Sequence, residues 1–155
     1  MPALQRPWSI QIELVEGCNR RCGFCGIQAI RSGVGNYKFM TLNDAEMIAR
    51  RCALFCPNAR YEFAMHGEPT MHPKLYEIMA CFRHYLPGAQ FMLTTNGRTM
   101  MANYGAMLLK LHKLFAYFDI IIMDTYEPER DKLWEYAWQV DEEDAFIKVY
   151  DFYGY

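Results

Sequence analysis

Three cysteines within eight residues are the first chemistry this chain offers. Cys18, Cys22 and Cys25, in the stretch EGCNRRCGFCG, are spaced C-x3-C-x2-C. Thiolates at this density suit soft or borderline metals, either zinc or an iron–sulfur cluster. A closed zinc site takes four ligands, commonly as two C-x2-C or C-x2-H pairs. The other cysteines, Cys52, Cys56 and Cys81, are remote and fall on or beside apolar helix faces, where a free thiol packs as a small hydrophobe. His66 and His72 could complete a Cys3His zinc set, although nothing in their spacing demands it. A 4Fe–4S cluster on three thiolates leaves one iron with an open position, which catalysis requires and pure electron transfer avoids.

The elements that must hold these residues alternate along the chain. Trp8–Val15 alternates apolar and polar positions as a strand with one packed face. Thr41-Leu42-Asn43-Asp44 has the form of a helix N-cap, and an apolar stripe at Leu42, Ala45, Ile48, Cys52 and Phe55 runs on to Pro57. A second strand, Tyr61–His66, leads into Gly67-Glu68-Pro69. Pro73 suits a first helical position before a stripe at Leu75, Ile78, Met79, Phe82 and Leu86. A third strand, Ala89–Thr95, ends at Asn96-Gly97. A helix over Tyr104–Phe115, a strand over Tyr117–Asp124, a short helix over Glu129–Gln139 and a strand over Ala145–Phe152 complete the chain. Strand–helix alternation predicts an α/β fold with a parallel sheet, either open and doubly wound or curved like a barrel. In barrel-type sheets the chemistry sits beyond the C-terminal strand ends. The cysteines, Gly67-Glu68-Pro69, Asn96-Gly97 and Asp124 all follow strands in this way.

Composition narrows the setting. A chain of 155 residues, 52% hydrophobic and 22% charged, is one globular domain rather than a disordered segment. Sixteen basic against 18 acidic residues leave a net charge of −2, which argues against a nucleic-acid partner. No stretch has signal-peptide character or the length to span a bilayer, so no membrane partner and a cytoplasmic location are expected. In that reducing compartment, metal or redox use of six cysteines is a better expectation than a disulfide frame. His72, His84 and His112 are expected at the surface, Glu68 has the alternative of merely capping a helix, and Asn96-Gly97 is also an ordinary turn pair.

With Phe24 directly before the last cysteine, the run resembles the cluster loop of the radical S-adenosylmethionine (radical SAM) superfamily. IQIELVEGCNRRCGFC resembles that family's first strand and loop, YKFMTLNDAEMI the opening of its first helix, and HGEPTMHP its Gly-Glu-Pro motif after strand two. LTTNG resembles the end of strand three and DIIIMD the fourth strand, so the likeness runs in order from about Ile10 to Asp124. It implies a partial (β/α) barrel of about five parallel strands, with residues 1–155 a core domain incomplete at its C-terminal end. Cys18, Cys22 and Cys25 would then hold a 4Fe–4S cluster, and S-adenosylmethionine would take the open iron. Phe24 would lie near the adenine, Gly67 and Glu68 near the amino group, and Pro69 would set the turn. Asn96 and Asp124 would face cofactor or substrate, and Gln11, Glu13, Glu62 and His66 are polar positions for substrate contact.

The activity so implied is reductive cleavage of S-adenosylmethionine to a 5′-deoxyadenosyl radical that abstracts hydrogen from an unidentified substrate. A low-potential flavodoxin or ferredoxin would feed it. The departures from the pattern are His66 where the family commonly has glycine, Ile122 where a serine is frequent, and about five strands where six are usual. A shortened protein, a truncated piece or a half completed by a second chain accounts for the last. The alternative function is a non-catalytic metal- or cluster-binding module, or one half of a heteromeric enzyme.

Overall fold

The computed structural model describes residues 6–25, 36–100, 104–125 and 146–151, the side chains of 104–108, 125 and 146–151 excepted. Five strands form one all-parallel sheet in the order β1 (Ser9–Gln11), β4 (Arg60–Glu62), β5 (Gln90–Thr95), β6 (Ile120–Thr125) and β7 (Phe146–Asp151). Neighbours in the sheet follow chain order without reversal, which is the winding of a barrel segment and not of a doubly wound sheet. The expected helix over Glu129–Gln139 lies outside the described residues.

Helices α1 (Leu42–Phe55), α2 (Leu75–Tyr85) and α3 (Tyr104–Phe115) connect the strands. One strand face is wholly apolar: Tyr61, Phe63, Phe91, Leu93, Ile121 and Met123 are fully shielded from solvent. Phe63 sits at its centre, meeting Phe82 and Phe91 edge-on at 5.1 Å and Phe118 at 5.7 Å, the arrangement that aromatic quadrupoles favour. From α2, Leu75, Ile78, Met79 and Phe82 all reach this core, with Leu86 just beyond, as their spacing predicts. The α1 stripe keeps its middle, Ala45, Ile48 and Cys52, on the core and loses its two ends. Ala45 and Ala49 are the buried residues, while Leu42 and Phe55 are largely exposed. Small residues let α1 lie close to its neighbours, and Arg50 and Glu46 reach Tyr85 of α2 across that contact. Thr41 caps the helix as predicted, accepting from the Asp44 amide at 3.1 Å. Pro73 precedes α2 by two residues instead of opening it, and Lys74 is the cap.

At the N-terminal strand ends Arg83 closes the core. Its guanidinium donates to the carbonyls of Tyr117 and Ala89 and to Asp119 at 2.6 Å, and it lies over the Phe91 ring. Asp119 in turn accepts from the Phe91 amide at 2.7 Å, so one ion pair ties α2 to both central strands.

Two strands are shorter than their alternation suggests. The first leaves the sheet after Ile12, whose amide donates to the Glu62 carbonyl at 2.9 Å. Beyond it, β2 (Val15–Glu16) pairs antiparallel with β3 (Lys38–Phe39), a hairpin that sequence pattern does not reveal. The second strand ends near Phe63 because the Glu13 carboxylate takes up the next loop's amides, His66 at 2.8 Å and Gly67 at 3.0 Å. Among the described residues no helix is long and apolar enough to cross a membrane.

His72, expected at the surface, is buried. Its Nε2 lies 2.9 Å from the Met40 carbonyl, its Nδ1 accepts from the Lys74 amide, and its ring meets Phe39 edge-on. The carbonyl fixes the proton on Nε2 and leaves Nδ1 an acceptor, so the neutral ring matches both partners. Burial pushes its pKa below the ordinary 6.5. The unfolded chain therefore takes up this proton first as pH falls. The contribution of His72 to stability is complete above about pH 6.5 and is lost as pH drops through its folded value. Urea midpoints measured from pH 8 to pH 5 should fall less steeply below pH 6.5 in His72→Gln than in wild type, and parallel profiles would refute the assignment.

Candidate functional site

Two glycines bring the loops of the site together. The Glu68 amide donates to the Gly17 carbonyl at 2.9 Å, joining the turn after β4 to the end of β2. Gly17 adopts φ +126°, open to glycine and strained for other residues. A Cβ on Gly67 would stand 1.7 Å from the Val15 carbonyl oxygen and 2.7 Å from that of Gly17. Only a residue without a side chain lets these two backbones touch.

Glu68 follows. It is 2% exposed, and its carboxylate gathers four donors. Oε1 accepts from the Thr70 amide at 3.1 Å and from the Thr70 and Thr95 hydroxyls at 2.5 Å each, and Oε2 accepts from the Asn96 amide at 2.8 Å. Burial pushes the carboxyl up, and the hydrogen bonds from Thr70, Thr95 and Asn96 oppose it. Glu68 thus caps the 3-10 turn Pro69–Met71 and pins it to the end of β5. The capping alternative raised by its sequence is therefore correct as far as it goes. Pro69 opens that turn, buried behind the site.

Asn96 and Asp124 end β5 and β6 on the same side. Asn96 is buried and donates through Nδ2 to Asn19 Oδ1 at 2.9 Å and to Cys18 Sγ at 3.5 Å. Arg98 adds a bond from Nη1 to the Asn19 carbonyl at 3.1 Å, so two residues beyond β5 hold the loop that starts at Cys18. Cys25 turns back on Cys22 through an amide-to-carbonyl bond of 3.0 Å. Asp124 is half-buried, and burial, with the charge of Glu68 next, pushes its carboxyl up.

These side chains surround one cavity of about 190 Å³ at the C-terminal strand ends. Cys18, Cys22, Cys25, Phe24, Gly67, Glu68, Asn96 and Asp124 line it, and of the expected set Pro69 stands behind the wall. His66 also lines it. Gln11 and Glu62 are outside the lining but on the strand face opposite the core, the face that Thr94 and Asp124 also use; there Glu62 binds Arg60 and Ser9, while Glu13 serves the loop amides. Sequence reasoning missed Thr70, Thr95 and Asn19, whose partners lie far away along the chain apart from the Thr70–Glu68 pair. The Cys18-Asn19 pair and the Thr-Thr before Asn96-Gly97 were the visible hints. Cys52 and Cys56 pack against the core as expected, and burial pushes the Cys52 and Cys81 thiols up.

Among the described residues no three His, Cys, Asp or Glu side chains stand together as ligands of a single metal ion. A mononuclear thiolate site needs its sulfurs within about 4 Å of one another, given metal–sulfur bonds near 2.3 Å. A cluster takes each thiolate on a different iron and has no such requirement.

The family model of the radical SAM superfamily matches residues 12–136, and the chain belongs to that superfamily. Among solved structures it is similar to that titled BtrN in complex with AdoMet and 2-DOIA, at 20% identity and a TM-score of 0.69 over 94% of this chain. It is also similar to BtrN in an open conformation, at 18% identity and a TM-score of 0.65 over 96% of this chain. The partial-barrel fold is therefore shared, and the chain spans 58% of the length of either BtrN chain. No curated protein sequence matches it.

Two substitutions probe the frame of the site. Gly67→Ala forces two loop backbones apart and should cost about 3 kcal/mol or more, read from denaturant midpoints. Thr95→Val removes one donor from a buried carboxylate and should cost about 1–3 kcal/mol. A change below about 0.5 kcal/mol in either would contradict the packing described.

Proposed function

We propose that this chain carries the cofactor-binding core of a radical SAM enzyme, with Cys18, Cys22 and Cys25 holding a 4Fe–4S cluster and S-adenosylmethionine bound beside it. The observation that carries this reading is convergence: three thiols, the Gly67–Glu68 turn, Asn96 and Asp124 share one cavity beyond the sheet. The donor set fits a cluster, because three soft sulfurs face a space where the described lining holds no fourth cysteine. When bound, cluster and S-adenosylmethionine supply one-electron cleavage of the sulfonium and a 5′-deoxyadenosyl radical for hydrogen abstraction.

The chain's own residues bind and orient. Gly67 allows the close approach that sets the turn, and Glu68 holds that turn on β5. Glu68 and Asp124 place two acidic groups in a lining that also holds the basic Arg20, a mixed surface that suits a ligand carrying a sulfonium, an ammonium and a carboxylate group. Phe24, more than half exposed at the rim, offers a ring face for an adenine. The walls exclude part of the solvent from the space where a reactive species would have to be protected. A low-potential flavodoxin or ferredoxin in the cytoplasm is the electron donor in this reading, and the substrate is unidentified.

A second reading rests on the 58% coverage of the BtrN chains. The chain would be a cluster-bearing module without turnover, or one half of a heteromeric enzyme whose second chain completes the barrel. The two readings part in one experiment. Anaerobic addition of iron and sulfide should give a brown protein with about four irons per chain, and Cys→Ala at 18, 22 or 25 should abolish it. Dithionite and S-adenosylmethionine should then release 5′-deoxyadenosine. An intact cluster that releases none favours the module, and a colourless zinc-loaded protein sinks the cluster assignment itself.

A further inference from the structure

Asn96 has its backbone amide and both polar atoms of its side chain committed. Its backbone amide donates to Glu68 Oε2 at 2.8 Å, and its side-chain Oδ1 accepts from the Arg98 amide at 3.0 Å. That acceptor bond sets the orientation of the amide group, since a flipped side chain would present N–H to N–H. The two Nδ2 hydrogens are thereby aimed at the cysteine loop, one at Asn19 Oδ1 at 2.9 Å and one at Cys18 Sγ at 3.5 Å. An ordinary turn asparagine would need only the Arg98 contact. Here the residue is 7% exposed, anchored from behind by a buried carboxylate, and directed across 78 residues of chain at a sulfur.

We propose that Asn96 is a positioning residue that raises the reduction potential of a cluster held by Cys18, through its N–H···S bond. The inference rests on the cluster reading given above. Hydrogen bonds to ligand sulfurs are one of the means by which a protein sets such potentials. One-electron reduction, [4Fe–4S]2+ + e− → [4Fe–4S]+, adds negative charge that spreads onto the sulfurs. A donor bond to sulfur is stronger in the more negative state, so it favours the reduced form. Glu68 contributes indirectly, by fixing the backbone from which Asn96 reaches. The Cys18 end of the cluster would be the site of this adjustment.

The test is an EPR-monitored redox titration of the reconstituted protein against Asn96→Ala and Asn96→Leu, with Asn96→Ser as a variant that keeps a donor. Both apolar variants should retain wild-type iron content and shift the reduction equilibrium about tenfold towards the oxidised form, about 59 mV for a one-electron couple. The serine variant should recover part of the shift. An unchanged potential in a cluster-bearing apolar variant overturns the proposal. Loss of the cluster from both, at unchanged thermal stability, also overturns it, because Asn96 would then hold the loop without tuning the couple. Where the variants do not fold, protein labelled with 15N in its asparagine side chains decides, with Asn19→Asp removing the other label beside Cys18 while keeping the acceptor for Asn96. Pulsed EPR of its reduced cluster should show a 15N coupling, and its absence overturns the proposal. If wild type takes up no cluster at all, the reading on which the inference rests has failed instead.

Discussion

The buried carboxylate of Glu68 is the interaction on which the rest of the site depends. A charge removed from water is costly unless its lone pairs are filled, and four donors fill them here. Those donors come from two separate segments, the 3-10 turn after β4 and the end of β5. Satisfying one side chain therefore fixes the relative position of two loops. The chain of bonds continues in both directions. Thr99 donates to the Thr70 hydroxyl at 2.6 Å, and Asn96 passes the constraint on to Asn19 and Cys18. A carboxyl so placed gains its stability from geometry, and any movement of the turn away from β5 exposes an uncompensated buried group.

Legibility in the sequence followed the range of the interaction. Helix α2 was readable because four apolar residues at helical spacing all reach one core, and α3 has the bounds its pattern predicts. The first strand was half readable. Ile12 and Leu14 keep their alternating burial, yet the hydrogen-bond partner changes from β4 to the segment before α1, where the Met40 amide donates to the Leu14 carbonyl. Alternation reports burial and is silent about which backbone a strand pairs with. His72 was misplaced for a similar reason: its neighbour Pro73 signals a turn, whereas its burial comes from Met40 and Phe39, more than 30 residues earlier.

The site divides in the same way. Three cysteines in eight residues announce themselves by type and spacing alone, and the Gly-Glu-Pro turn is visible once they are noticed. Glu13 stood out as a polar position in a strand, but its partners are backbone amides 53 and 54 residues away, which no composition signals. Asn19 and Thr95 were not assigned to the site because each matters through partners far along the chain, Asn96 and Arg98 for the one and Glu68 for the other. What spacing conveys is the chemistry of the ligands. The means of holding them in place is recorded in contacts between segments that only folding brings together.

The hairpin of β2 and β3 shows how little of that holding needs charge. The ion pair of Lys38 with Glu16 at 3.0 Å is solvent-exposed and contributes little. Val15 is buried, however, and Phe39 rests on the ring of His72, so the hairpin is clamped to the core at both strands. Departure from β4 after Ile12 is what carries Gly17 over the strand ends to meet the Glu68 amide. Had the first strand run straight through Val15 in the sheet, Cys18 would leave along the strand axis and not across the cavity. The premature end of β1 is therefore a requirement of the site: backbone contact at two glycines places the loop, and the asparagine–sulfur bond then sets its first cysteine.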